Sequence, residues 1–397
     1  MIGEQDVREQ MQSVQVPASS LRVEALVAGG RKRVLRRRMV RAGCGVALAA
    51  GLLAGVPSLV LDGGGSSLAD QAAAAPSASG GPQQGATNPA SPLVRCPGTS
   101  LPIPDGMGAV QPAGVDPSGR YVLGNNASNS MKSTPEGKVS GVAASQVILW
   151  TDGQPQVLPM VRDWVLSSAV NADGVVAAVA GPKDKGADTV VRYTNGMPEM
   201  FPSPAGKWEF RLASINAAGD VLVNAYRPGG GLGADAVLLW KAGSAAQKLP
   251  LPAKAEGMSL LDDGSIVGRI ISNKGGKVTS YVWDQQGTGQ ALQTPAGQDG
   301  SVFSARGDWA AGNVSPSGVA RWNLKTGDLR ELKIGAPANG INASGWIAAN
   351  GTVLRDDANV ELGLADGKRG DPMYVADNGL VVGLPFDGSS GAITWRC

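Results

Sequence analysis

The chain has 397 residues, with 57 Gly, 26 Pro, 5% aromatic residues and a net charge of +2, which fits a chain able to bury a sizeable core. It contains no histidine. That one absence excludes Ser-His-Asp and Cys-His nucleophilic catalysis, HExxH zinc sites and histidine-ligated haem.

Residues 1–41 read as a short cytoplasmic segment. VREQMQSV (7–14) and SSLRVEALVAG (19–29) have helical spacing, with Pro17 between them, Ser20 in a capping position and Gly29 at the end. From Arg31 to Arg41 there are seven basic residues and no acidic one. Residues 42–61 follow without a charge, about the length that crosses a bilayer as one helix. The basic border puts the N-terminus in the cytoplasm and everything after Asp62 outside a bacterial plasma membrane. A cleaved signal peptide would carry a far shorter leader, although the alanines at 72–75 offer a cleavage site and RRMV (37–40) has a twin-arginine look. Cys44 stands at the start of the apolar run, whereas a lipoprotein has its cysteine at the end, so a retained anchor is expected. The basic run then reads as a topology signal facing anionic lipid and not as a nucleic-acid surface.

Residues 62–95 are Ala, Gly, Ser, Pro and Gln without strand or helix pattern, a linker with a reach of roughly 30 Å. Beyond it one pattern recurs, seen most cleanly from Ser214 to Pro252. A small polar turn ends in glycine seven times, at Gly119, Gly174, Gly219, Gly264, Gly307, Gly345 and Gly379. An apolar strand follows each turn, such as YVLG, VLVNA, SIVG or LVVG. A second apolar strand ends in an aromatic at Trp150, Tyr193, Trp240, Trp283, Trp322 and Trp395, while the sixth copy has Leu354 there. A further hairpin then leads to a strand of the QVLPM or KLPLP kind, where proline suits an edge.

Four strands at a period of about 43 residues predict an all-β, seven-bladed β-propeller at residues 96–397, with six or eight blades as neighbouring counts, preceded by the transmembrane helix. In it the aromatics serve as packing between blades. The last copy stops after Trp395 without its fourth strand, and TSLPIP (99–104) matches the missing one. Aligning Leu101 with Leu158 brings Cys96 beside Cys397 where a hairpin turn belongs, so a disulfide is expected there in an oxidising compartment. The linker then enters on the face of the third-to-fourth-strand turns, toward the membrane. Loops 125–145, 181–188, 227–235 and 272–279 lie on the opposite face, where ligand contacts are expected.

GINASGWIAA (340–349), DNGLVVG (377–383) and AVLLWKAG (236–243) resemble a family of bacterial extracytoplasmic propeller repeats. The resemblance implies a fold and an exported location, and no reaction. Residues 5–61 resemble actinobacterial membrane proteins that accompany extracytoplasmic-function sigma factors, which implies a cytoplasmic regulatory partner such as a sigma factor, although the His and Cys of zinc-binding anti-sigma domains are missing.

No catalytic, cofactor or metal residues are assigned. The loop carboxylates Asp184, Asp188 and Asp235 would serve a surface-tethered hydrolase or lyase, the alternative to a binding or sensing module. Residues 1–41 hold nine basic and four acidic side chains, leaving 26 basic against 29 acidic beyond them, a poor surface for nucleic acid. A cell-envelope protein or a neutral glycan is the expected partner.

Overall fold

The computed structural model describes residues 95–397 apart from 127–131, 134–138, 141–144, 183–186, 273–275, 317, 333–336, 350, 357 and 388–390. The expected cytoplasmic segment, span and linker up to residue 94 lie outside the described residues, as does Asp184. Every regular element among the described residues is a strand.

Each of the first five copies folds as a four-stranded antiparallel sheet; in the third the strands are Glu209–Ile215, Val221–Tyr226, Ala236–Trp240 and Gln247–Lys248. The last two copies share one eight-stranded sheet, joined through the strand Arg95–Ser100. Arg95, Cys96 and Pro97 pair in parallel with Glu361, Leu362 and Gly363 of the sixth copy. Gly98, Thr99 and Ser100 pair antiparallel with Trp395, Thr394 and Ile393 of the seventh. This strand begins at Arg95, earlier than the 99–104 expected, because its first half gains a second partner. It stops before Pro102 and Pro104, which have no N–H for a longer ladder. The Leu101 N–H donates to Ala392 O at 2.9 Å as the Leu158 N–H donates to Val147 O at 2.9 Å, which is the register the Leu101–Leu158 alignment expects.

The first strand of each copy forms one end of its sheet and packs on the first strand of the next copy; the ring closes where Gly370–Val375 packs on Val110–Val115. These strands surround an axis, the arrangement of a β-propeller. The core lies in layers between neighbouring sheets. In one layer Val179, Val190 and Phe201 of the second copy meet Phe210, Val223, Leu238 and Trp240 of the third.

Two local devices set the geometry. Six of the seven turns between first and second strands use a side chain to bond their own backbone: Asn171 Oδ1 accepts from Asp173 N (3.1 Å) and Val175 N (3.0 Å), and Asn342 Oδ1 accepts from Ser344 N and Trp346 N. The seven turn glycines all have φ between 55° and 86°, where a Cβ is strained. The second device is a β-bulge in every first strand, which inserts Ala113, Leu166, Ala213, Met258, Phe303, Asn339 and Met373 as extra residues. The bulge pushes the inner strand toward its neighbour. In three copies a glycine on the second strand makes room: a Cβ on Gly268, Gly312 or Gly383 would lie 2.1, 2.1 or 2.0 Å from the carbonyl oxygen of Glu256, Ser301 or Asp371.

Candidate binding surface at the channel mouth

In an antiparallel meander the first-to-second and third-to-fourth turns share one end of the ring. The second-to-third loops and the connections between copies share the other.

The first end is tied shut by its turns. Asn171 Nδ2 donates to Asn216 O of the next copy (3.1 Å), and Asp262 Oδ1 accepts from Ala217 N (2.9 Å). Asn342 Nδ2 donates to Ala376 O (3.0 Å), Asp377 Oδ1 accepts from Ala343 N (2.7 Å), and Asn378 Nδ2 donates to Ser118 O. Arg306 of the fifth copy pairs with Asp262 of the fourth (3.7 Å) and Asp377 of the seventh (3.4 Å). Because it skips the sixth copy, its guanidinium lies across the axial opening.

Cys96 and Cys397 form a disulfide at this same end, with Cα atoms 5.5 Å apart. The aromatics that close the third strands are at most 4% exposed, and their polar atoms follow a rule. Trp150 Nε1 donates to Pro102 O (2.7 Å), Tyr193 Oη to Pro159 O (2.9 Å), Trp322 Nε1 to Gln293 O (2.7 Å) and Trp395 Nε1 to Gly363 O (2.9 Å). Each acceptor is the residue after a core leucine of the preceding copy, the partly buried Leu101 and the buried Leu158, Leu292 and Leu362. Trp240 departs from this rule, its Nε1 buried without a partner while its ring packs on Phe201 and Phe210. Trp283 stacks on Tyr281 at 5.2 Å.

The other end is built differently. At one level of the inner strands stand Gln111, Trp164, Arg211, Glu256, Ser301 and Asp371, each just ahead of the bulge. Opposite several of them a polar residue on the second strand reaches into the following copy. Asn125 Oδ1 accepts from Ser168 Oγ (3.1 Å), Asn224 holds Gly257 through both N–H and C=O (2.8 and 2.7 Å), and Asn313 Oδ1 accepts from Ala338 N (3.3 Å). Arg269 occupies the same position in the fourth copy. Its Nε and Nη2 donate to Glu256 Oε2 (3.0 and 2.8 Å), and its Nη1 donates to Ser301 Oγ of the fifth copy (2.8 Å).

Glu256 is buried, and Tyr226 Oη of the third copy donates to its other oxygen at 2.8 Å. Burial, and then the Glu256 carboxylate, push the Tyr226 phenol well above its ordinary range. The Arg211 guanidinium lies 4.4 Å over the Tyr226 ring, and Arg269 lies 5.8 Å over Phe303. Both oxygens of Glu256 are therefore engaged, which makes it a positioning group and not a free acid or base.

The loop carboxylates named from the sequence also hold backbone. Asp188 Oδ2 accepts from Phe210 N (2.9 Å). Asp235 accepts from Arg227 N (2.7 Å) and Lys254 Nζ (3.1 Å); the Arg227 N–H, more than the Lys254 pair, holds it below the ordinary carboxylate range. Arg227 stacks at 3.8 Å on Trp208. Asp371 contrasts with these: burial raises its carboxyl above the usual range, against one N–H from Gly351 at 3.2 Å. A separate shallow cleft of about 210 Å³, lined by Trp309, Arg321, Asn323, Asp328, Leu329 and Arg330, lies toward the turn end of the fifth copy.

Sequence reasoning expected ligand contacts at the end that carries the mouth, from its second-to-third loops, and did not name the inner-strand residues that line it. Its one written signal is the polar residue that follows the strand glycine or its equivalent, as in YVLGN, SIVGR and WAAGN.

No known protein family and no curated protein matches the chain. Among solved structures it is similar to the β-propeller domain of the Trilobed protease from Pyrococcus furiosus, with a TM-score of 0.50 and 11% identity over 72% of this chain and 96% of that one. That domain is described as having an open velcro topology; here Arg95–Ser100 pairs with Ile393–Arg396. Lower similarity is found to hydrazine synthase of Kuenenia stuttgartiensis (TM-score 0.46, 13% identity, 73% of this chain and 96% of that one). TolB from Acinetobacter baumannii follows, with a TM-score of 0.39 and 16% identity over 74% of this chain and 65% of that one. At these identities the likeness identifies the fold, a β-propeller, and stops there.

Proposed function

We propose that this chain is a single-pass bacterial membrane protein whose exported propeller is a non-enzymatic binding or sensing module for a cell-envelope ligand or protein. Counting the eight-stranded sheet as two blades gives the propeller seven. Residues 42–61 anchor it, residues 62–94 tether it, and residues 1–41 are the cytoplasmic end through which occupancy would reach a regulatory partner such as a sigma factor.

The observation that carries the binding reading is the asymmetry of the two ends. Arg306, Asp262 and Asp377 cross the opening at the turn end. At the other end the side chains are held in place by hydrogen bonds and stacking, and Arg211 and Trp164 remain partly exposed. A rigid surface that presents fixed polar and aromatic side chains suits recognition. The turn end, where the tether enters, would face the membrane.

A second reading, a surface-tethered hydrolase or lyase, draws on Asp371, whose raised carboxyl suits a general acid. The two are separated by affinity capture from native membranes, comparing the full chain with a form lacking residues 1–36. A cytoplasmic protein captured by the full chain alone supports a signalling role; envelope components captured equally by both forms leave a tethered binding module. Capture of nothing by either form overturns the binding reading.

A further inference from the structure

Resting on the reading of the mouth as a binding surface, we infer that it takes a small amphiphile, with one carboxylate or phosphate held by Arg211 and an apolar body directed down the axis.

The head-group argument starts from unequal pairing. Glu256 gives Oε1 to Tyr226 and Oε2 to Arg269, and the remaining arm of Arg269 donates to Ser301. Arg211 has no acidic partner among the described residues; its contact is the Tyr226 ring at 4.4 Å. The face of the guanidinium is covered, while its N–H groups lie in the plane of the fork and remain to donate. Tyr226 is itself fixed by Glu256, so Arg211 is pre-oriented at little entropic cost. A planar cation in this state fits a carboxylate or phosphate better than a neutral hydroxyl. Trp164, at the same level on the adjoining inner strand, offers an indole beside it. The nearest carboxyl at this level besides Glu256 is Asp371, which belongs to the seventh copy and accepts from Gly351.

The body argument comes from the bulges. One step below the mouth the bulged residues Phe303 and Met373 are partly exposed, whereas Met258 packs on the core layer between the fourth and fifth copies and Leu166 lies against Gly181 of its own second strand. Two large apolar side chains, Phe303 and Met373, therefore meet solvent beneath the polar level.

The test is titration calorimetry on the full chain in zwitterionic-lipid nanodiscs, with 4-phenylbutyrate and phenyl phosphate as probes and neutral 4-phenylbutanol as control. The anionic probes should bind more tightly than the alcohol, and whichever anion binds better names the head group. Arg211→Gln should weaken anion binding by about tenfold or more and leave the alcohol unchanged, which also reports that the mouth is still folded. Arg211→Lys, which keeps the charge but loses the planar fork and the stacking on Tyr226, should fall between the native chain and Arg211→Gln, and Phe303→Ala should weaken all three probes. Equal binding of alcohol and anions, no anion binding, or anion binding indifferent to Arg211→Gln overturns the inference. A plugging variant, Met373→Trp, separates this from the broader reading. If it abolishes capture of envelope components while the anions fail to bind, the binding surface stands and the ligand class falls. If capture is unchanged by the plug, the mouth is not where the native partner binds.

Discussion

The indole nitrogen of Trp322 lies 2.7 Å from the carbonyl oxygen of Gln293, so the aromatic that ends one copy satisfies a backbone group left by the copy before it. Trp240 occupies the corresponding place in the third copy with its Nε1 buried and unpartnered. Both rings are fully buried, so Trp→Phe removes similar apolar area at each. Trp322→Phe also removes the hydrogen bond to the Gln293 carbonyl. It should cost about 1 kcal/mol more than Trp240→Phe in denaturant unfolding of the full chain. Equal losses would show that these hydrogen bonds add nothing to stacking between copies.

Cys96 and Cys397 are 301 residues apart in the chain and bonded. The bridge constrains the unfolded chain over nearly the whole ring, and the loop-closure account gives it up to about 5 kcal/mol. The paired substitution Cys96→Ser, Cys397→Ser should lower the unfolding midpoint markedly. Reductant should lower that of the native chain and leave the variant unmoved. A reductant effect of the same size on both would place the sensitivity elsewhere.

Tyr226 predicts an alkaline limit. Its phenol is raised above its ordinary value of 10.0, so above that pH the unfolded chain loses this proton before the folded one does. The stability it contributes is complete below about pH 10 and is lost as pH climbs through the raised value. Tyr226→Phe removes both the titration and the bond to Glu256. The variant should be less stable at neutral pH yet decline less steeply above about pH 10, with Tyr193, also raised by burial, accounting for part of the remaining slope. Parallel pH profiles for the two proteins would show that Tyr226 does not set the limit.

Asp371 predicts the opposite region of the pH scale. Burial raises its folded value, so the folded chain holds this proton more tightly than the unfolded chain. Stability then falls as pH rises from the ordinary carboxylate range through the raised value. Asp371→Asn, which keeps an oxygen for the Gly351 N–H, should match the native chain in acid and exceed it at neutral pH. Should Asp371 instead be a general acid, the same variant would abolish any hydrolytic activity found in the protein.

The propeller could be read because its turns and layers write themselves in residue type. A left-handed turn calls for glycine, as at Gly174 and Gly345, and a buried strand end admits Trp150 or Trp395. The closing register followed from Leu101 and Leu158 for the same reason, since one buried apolar position recurs. The end that carries the mouth was legible from its loops but the residues lining it were not, because that level on the inner strand accepts Gln111, Trp164, Arg211, Glu256, Ser301 and Asp371 alike. Nothing local requires any of these types; they acquire meaning only when bulges align neighbouring copies. Arg306 was hidden likewise, since its partners Asp262 and Asp377 come from copies on either side of it in the chain.

The bulge itself gives a last prediction, through two glycines that look alike in sequence. Gly219 has φ +79° and nothing within 4 Å of where a Cβ would stand, so Gly219→Ala incurs the left-handed backbone cost alone, about 1–2 kcal/mol. Gly312 has no such torsion, but its Cβ would stand 2.1 Å from Ser301 O and 2.7 Å from Val302 Cα, both backbone atoms. Gly312→Ala must push the inner strand away and should cost about 3 kcal/mol or more. The displaced residue is Ser301, which receives a hydrogen bond from Arg269, the partner of Glu256. Gly312→Ala should therefore also weaken probe binding at the mouth, whereas Gly219→Ala, at the opposite end, should leave it unchanged. Equal effects of both variants on binding would mean that the bulge does not position the mouth.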